Sequence, residues 1–194
     1  SFQAIKHITT GDGGMIVLNN EDEFKKAKLM RWFGIDREKK EQSGWQAYKE
    51  RKMTFDIEIQ GYKRQMTDIA AGMGIAGLKH YTQVIEYRKK IFELYKKELQ
   101  GVDGITIVDG EPNTYWLFTI LVERRDDFAK MLWDAGVDTN IVQVRNDIYK
   151  IFGGKRTDLP NMNKVEFKYI SLPLHMKVTE ADVKYICNII KKGW

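Results

Sequence analysis

The sequence is poor in the residues that make covalent or metal staples. Cys187 is its only cysteine, which excludes an internal disulfide. With three histidines and no Cys/His cluster it also offers no zinc site. No apolar run approaches the roughly 20 residues of a membrane helix, and the N-terminus lacks the basic region and apolar core of a secretory signal. These absences predict a cytoplasmic protein of a reducing compartment, without metal or membrane contact. Internal repeats and low-complexity tracts are missing as well. Charge of one sign is scarce as a block: 32 basic and 27 acidic residues are intermixed, giving a net charge of +5. That pattern fits a solvated surface with a modest preference for anionic partners. It does not make a nucleic-acid stripe, and no aromatic-plus-glycine binding motif supports one. A phosphorylated cofactor or a nucleotide-linked substrate would suit the balance.

What is present begins at the first residue. Ser1-Phe2-Gln3-Ala4-Ile5-Lys6-His7-Ile8-Thr9-Thr10-Gly11-Asp12-Gly13-Gly14 sets a lone lysine among apolar residues and follows it with a glycine-rich turn. A lysine must lose its proton to attack an aldehyde carbon, and desolvation by neighbours such as Ala4, Ile5 and Ile8 favours the neutral amine. Without further context, a lysine such as Lys6 is far more often one solvated charge among many than a nucleophile. The glycines precede Met15-Ile16-Val17-Leu18, an apolar run that reads as a strand, so their plain role is a tight turn. They do not form a dinucleotide fingerprint, which runs from a strand into a helix.

Further along, Asn20 caps a helix whose face carries Phe24, Ala27, Met30 and Phe33 up to Gly34. Residues 35–61 are charged and lack a sustained period; Trp45, Tyr48 and Phe55 suggest that this segment lies against another surface. Thr67 caps a helix rich in small residues, in which Gly72, Gly74 and Gly77 point to close approach by another backbone. Tyr81, Val84, Ile85, Ile91, Phe92, Tyr95 and Leu99 mark a long amphipathic helix, with Arg88 and the lysines on a solvated face. Beyond Gly101 the texture changes. Strands are expected at 105–108, 115–122, 137–144 and 169–174, with helices at 126–135 and after Thr179. A domain boundary is placed near residue 100, giving domains 1–100 and 101–194.

Several ordered anchors resemble the DegT/DnrJ/StrS family of pyridoxal-phosphate-dependent sugar aminotransferases. The opening segment is similar to the family's Ser-Phe, spacer, cofactor lysine and Thr-Gly-Glu-Gly-Gly, with Asp12 in place of the glutamate. Gly61-Tyr62-Lys63-Arg64-Gln65-Met66-Thr67-Asp68 resembles the Gly-Tyr-Asn-x-Arg/Asn-Met-x-Asp element, with Lys63 and Gln65 as departures. Tyr115-Trp116-Leu117-Phe118 and Leu172-Pro173-Leu174-His175 match later signatures. The resemblance covers essentially the whole chain. It implies an α/β fold: the C-terminal part of an aspartate-aminotransferase-like fold, with a remnant of the large cofactor domain and a small C-terminal α/β domain.

The resemblance further implies amino transfer from an amino acid such as glutamate to a keto nucleotide-sugar, with pyridoxal 5'-phosphate as cofactor. Lys6 would hold the cofactor and move a proton between the donor's α-carbon and the cofactor's C4′. Relatives that carry out 3-dehydration have histidine there, so lysine favours transamination. Ser1 would contact the cofactor phosphate, and Gln65 would reach the phosphate of a neighbouring subunit in a homodimer with shared active sites. Gln143, where a sugar-facing histidine is common, together with Arg145 and His175, would face the substrate; a strand-end charge and a loop imidazole are the alternatives for the last two. Family polypeptides are much longer, so the chain is expected to be a C-terminal part, whether truncated, cleaved or the remainder of a longer protein. The alternative function is a non-catalytic fragment that only associates.

Overall fold

Asn20 opens the first helix as its side chain dictates: Oδ1 accepts from the amides of Asp22 and Glu23 at 2.9 and 3.0 Å, two of the donors that a helix start leaves unpaired. The computed structural model describes residues 1–42 and 56–194 and divides into two units, Ser1–Lys79 and His80–Trp194. The first unit holds helices α1 (Glu21–Met30), α2 (Arg37–Gln42) and α3 (Asp68–Lys79). Helix α1 stops at Met30, short of Phe33, which takes a left-handed backbone at φ 56° beside Gly34 at 76°. The charged segment after Gly34 contains α2, started by Asp36 accepting from Glu38 and Lys39 amides at 3.0 and 3.1 Å. Trp45, Tyr48 and Phe55 lie outside the described residues.

The strand expected at 15–18 does not form. Met15, Ile16 and Val17 are exposed, Val17 to 82%, because no described segment runs alongside to pair with their backbone. Ile69, Ile75 and Leu78 on α3 are exposed too, and none of its residues is buried. Every member of the main hydrophobic core belongs to the second unit.

That unit contains α4 (Tyr81–Leu99), β1 (Ile105–Ile107), β2 (Phe118–Val122), α5 (Arg125–Asp134), α6 (Pro160–Val165), β3 (Tyr169–Leu172) and α7 (Glu180–Ile190). Its sheet is antiparallel in the order β1-β2-β3, with Ile120 opposite both Ile107 and Ile170. Phe118, Ile120 and Val122 alternate inward along β2. On that face α4 packs Tyr95 against Phe118 in a stack of 4.8 Å, with Phe92 edge-on at 4.9 Å. Helix α7 buries Val183, Ile186, Cys187 and Ile190, and Thr179 and Asp182 form the reciprocal capping box at its start. Burial pushes the Cys187 thiol up to about 12.

Three expectations differ here. The contacts divide the chain at residue 79, not near 100, because α4 commits Ile91, Phe92, Tyr95 and Leu99 to the second unit's core. Residues 137–144 make only one bridge, Asn140 to Ser171, instead of a strand. Arg88, placed on the solvated face of α4, is buried; its Nε donates to the Tyr115 carbonyl at 3.0 Å and a terminal nitrogen to the Trp116 carbonyl at 2.9 Å. Those carbonyls are thereby taken out of the ladder, Tyr115 sits at φ 54°, and β2 starts at Phe118 instead of at 115.

Candidate functional site

Lys6 is carried on a loop closed by its own backbone. The Phe2 amide donates to the Gly13 carbonyl at 2.8 Å and the Thr10 amide to the Phe2 carbonyl at 2.9 Å. Thr10 Oγ1 donates to the Asp12 carbonyl at 2.9 Å, and the Gly11 amide to Thr9 Oγ1 at 3.1 Å. Gly11 supplies the left-handed turn at φ 81°. At Gly13 a Cβ would stand 2.6 Å from Thr10 Oγ1, so a side chain there would push that hydroxyl off its hydrogen bond to Asp12. Ser1 and Lys6 are both tied to Gln3: Ser1 Oγ accepts the Gln3 amide at 3.4 Å, and the Lys6 amide donates to the Gln3 carbonyl at 3.0 Å.

Lys6 itself is half-buried. Of the three apolar neighbours expected to desolvate it, Ala4 and Ile5 are exposed and only Ile8 is half-buried. The small residues of α3 account for the position of Ile8. A Cβ on Gly77 would lie 3.3 Å from Ile8 Cγ2, and one on Gly74 would lie 3.1 Å from Thr10 Cγ2. The close approach expected of these glycines is therefore made to the lysine loop at Gly74 and Gly77; Gly72 faces open space.

Gln65 is half-buried, and its Oε1 accepts from an Arg37 terminal nitrogen at 3.5 Å. It lines an open cleft of about 560 Å³ whose other walls include Lys25, Lys28, Arg31, Trp32 and Arg37. Lys28 pairs with Glu38, and Arg37 lies 5.6 Å over the Trp32 ring. Cations outnumber carboxylates in this lining, which suits an anionic ligand. Sequence reasoning singled out Gln65 but missed its surroundings. The available signal was Arg31-Trp32 followed five residues later by Arg37, a pairing of guanidinium with an aromatic face.

In the second unit, Gln143 is exposed and its carbonyl accepts from Tyr169 OH at 2.6 Å. His175 is exposed as well, its Nδ1 accepting the Lys177 amide at 3.2 Å. The antiparallel Asn140–Ser171 bridge places Gln143 toward the Tyr169 end of β3 and His175 beyond the Leu172 end, so the fold does not cluster them.

Arg145 differs from both. Its side chain is 4% exposed, and all five of its donors are engaged within the chain. Nε and a terminal nitrogen grip Asp147 at 2.7 and 2.5 Å; the other terminal nitrogen reaches Glu166 at 2.5 Å and Asn163 at 2.8 Å; the Arg156 carbonyl accepts at 3.2 Å. The guanidinium has no donor left for a substrate, so the strand-end alternative describes it better than direct contact. The Arg145 hydrogen bonds, helped by the Arg156 amide, hold Asp147 well below the usual carboxylate range; Lys155 and Arg145 lower Glu166 likewise.

A carboxylate whose native pKa is depressed adds stability above its unfolded pKa, and that stability is lost as pH falls through the native value. Hydrogen exchange at the Arg156 amide, which donates to Asp147 at 2.7 Å, should therefore stay slow at neutral pH. It should speed up, relative to the core amides of β2, as pH drops below the ordinary values of 3.8 and 4.5. Equal acceleration in an Arg145→Met variant at every pH would contradict this origin.

A family model described as the DegT/DnrJ/EryC1/StrS aminotransferase family matches residues 1–191. The curated relative named uncharacterized protein MJ1066, from Methanocaldococcus jannaschii, is 32% identical over 99% of this chain and 52% of its own length. The UDP-4-amino-4,6-dideoxy-N-acetyl-beta-L-altrosamine transaminase of Campylobacter jejuni is 28% identical over 100% of the chain and 53% of its own length. The crystal structure of the sugar aminotransferase CalS13 from Micromonospora echinospora superimposes with a TM-score of 0.88 at 28% identity, covering 100% of this chain and 51% of that one. One structural neighbour is solved in its PLP form. The chain thus spans about half the length of the curated relatives it matches.

Proposed function

Because the chain belongs to the DegT/DnrJ/EryC1/StrS aminotransferase family, we propose that it is part of a longer cytoplasmic enzyme moving an amino group from an amino acid, glutamate first among candidates, to a keto nucleotide-sugar. The observation that carries this reading is the self-closed loop that holds Lys6, with α3 glycines set against it. The side chains present suit pyridoxal 5'-phosphate: an amine on a braced loop, and around Gln65 a cleft dominated by cations, the setting a phosphate dianion requires. Lys6 would hold the group with Ser1 at its phosphate, and Gln65 would reach the phosphate of the group held by a neighbouring subunit. Pyridoxal phosphate, when bound, supplies an electron sink for the donor's α-carbon. Lys6 would then serve as the base that takes the proton from that carbon and gives it to the cofactor's C4′, and lysine there favours amino transfer over dehydration. Gln143 and His175 would meet the acceptor as hydrogen-bonding groups. No described helix is long and apolar enough to cross a membrane.

A second reading, a non-catalytic association module, draws on a specific observation as well. The first unit leaves Met15, Ile16, Val17, Ile69, Ile75 and Leu78 uncovered, a surface that soluble chains normally bury against another chain or segment. In the enzyme reading that partner is a second subunit in a homodimer, with residues 61–77 at or near the interface and Gln65 turned to the neighbour's cofactor. Borohydride reduction after incubation with pyridoxal phosphate separates the two. The enzyme reading expects a yellow protein and a single pyridoxyl adduct mapped to Lys6. A colourless protein, or an adduct spread over Lys63, Lys89 and Lys90, decides for the association module.

A further inference from the structure

The two buried arginines of the second unit are satisfied to different degrees. Arg145 has every donor engaged and two carboxylates, Asp147 and Glu166, to balance its charge. Arg88, 8% exposed, has neither. Its Nε donates to the Tyr115 carbonyl and its Nη2 to the Trp116 carbonyl, so two successive and neutral acceptors occupy the side of the guanidinium that Nε and Nη2 share. Of an arginine's five N–H groups this leaves three, two of them side by side on the end edge formed by Nη1 and Nη2. Nη1 has no acceptor among the described residues and is not sealed from solvent. No acid offsets the charge either. Burial lowers the Arg88 pKa with no carboxylate to raise it again. Glu180, which reaches α4 from the start of α7, pairs with Lys90 at 2.6 Å, and the Lys89 ammonium lies over the Tyr115 ring at 5.9 Å.

A guanidinium taken out of water needs a counter-charge, because an uncompensated buried ion is strongly destabilising. We propose that the end edge of Arg88 is the seat of a carboxylate that the described residues do not supply, brought either by an Asp or Glu side chain from elsewhere in the complete protein or by a free small carboxylate. Two parallel N–H groups fit the two oxygens of one carboxylate. One negative charge meets one positive charge there, whereas a phosphate dianion would leave a charge over and calls for several cations, as in the cleft around Gln65. The position gives the contact a task. Arg88 fixes the carbonyl of Tyr115, whose backbone is left-handed at φ 54°, and that of Trp116, two residues ahead of β2. A carboxylate on its other edge locks the guanidinium over that turn and fastens the entrance of the sheet to whatever brings the acid. The assignment is independent of the proposed amino transfer, which makes no use of Arg88.

The test uses the complete protein, crystallised from chloride without carboxylate, phosphate or sulfate, together with its thermal midpoint. A side-chain carboxylate with its two oxygens about 2.7–2.9 Å from Nη1 and Nη2 identifies the polypeptide as the source. Changing that acid to its amide should then lower the midpoint as far as Arg88→Lys does, since lysine keeps the charge and loses the fork, and the double variant should fall no further. An end edge that holds only water in those crystals assigns the seat to a free ligand. Acetate and glutamate should in that case raise the wild-type midpoint progressively with concentration, and neither should do so in Arg88→Lys. If Arg88→Lys does not fold, wild-type crystals soaked in acetate decide instead, by carrying its carboxylate on that edge. Water alone on the edge with a midpoint indifferent to both carboxylates would overturn the assignment. So would a backbone carbonyl in that place, stabilisation by carboxylates that persists in Arg88→Lys, or stabilisation by inorganic phosphate without any by carboxylates.

Discussion

Lys6→Ala is expected to abolish amino transfer and cofactor attachment in the complete protein while the fold survives. Alanine can neither form a covalent link with an aldehyde nor carry a proton at the donor's α-carbon. Loss of the proton-transfer role alone is worth roughly 10²- to 10⁴-fold, so the combined loss should exceed the upper figure. Survival of the fold follows from where the loop is fastened. Phe2, Thr9, Thr10 and Gly13 make the hydrogen bonds that close it, and all of them remain. Lys6→Arg sharpens the result, because a guanidinium keeps the positive charge but does not deprotonate in proteins. Both variants should show the wild-type thermal midpoint within a few degrees, no borohydride-fixed adduct and no turnover with glutamate. Measurable turnover in Lys6→Arg would mean that charge, and not a free amine, is what position 6 supplies.

The sequence revealed those parts whose signal is local. Helices α4 and α7 were legible because an apolar stripe at helical spacing and a Thr179–Asp182 capping box need no knowledge of the rest of the chain. The lysine loop was legible as an ordered motif, and its glycines proved to work as the motif suggests, by a left-handed turn at Gly11 and a close contact at Gly13. What depends on a distant partner stayed hidden. Met15–Leu18 has strand composition, but a strand exists only where another backbone accepts its hydrogen bonds. Arg88 and Arg145 sit in charged surroundings that read as surface, yet each is buried by acceptors far away in sequence, such as Tyr115 and Glu166. Only Asp147, two residues from Arg145, gave notice of that pairing. The same limit explains why the family resemblance leaves Arg145 open between a substrate-facing group and a strand-end charge: a saturated guanidinium and an available one look alike in sequence.

The glycine pair Gly34 and Gly61 leads to the second large effect. Helix α1 ends in a chain reversal that is pinned to the segment arriving from residue 57. The Tyr62 amide donates to the Met30 carbonyl at 2.8 Å, the Arg64 amide to the Arg31 carbonyl at 2.8 Å, and Trp32 bridges Lys63. At the crossing the two backbones touch. A Cβ on Gly61 would lie 2.1 Å from the Gly34 amide nitrogen and 2.6 Å from the Phe33 carbonyl carbon; one on Gly34 would lie 2.0 Å from the Ile59 carbonyl oxygen. No rotamer change relieves a clash between backbone atoms, so Gly61→Ala must separate the segments. The Tyr62 and Arg64 amides should then lose about a hundredfold in exchange protection, the equivalent of roughly 3 kcal/mol, at the upper end for overpacking. Gln65 follows one residue after Arg64, so its placement in the basic cleft depends on the same crossing. Cofactor affinity should therefore fall in Gly61→Ala together with the loss of protection, whereas Gln65→Ala should lower affinity with the Tyr62 and Arg64 amides still protected. Protection of both amides at the wild-type level in Gly61→Ala would show that the crossing yields without cost, and that Gln65 is held in place by something else.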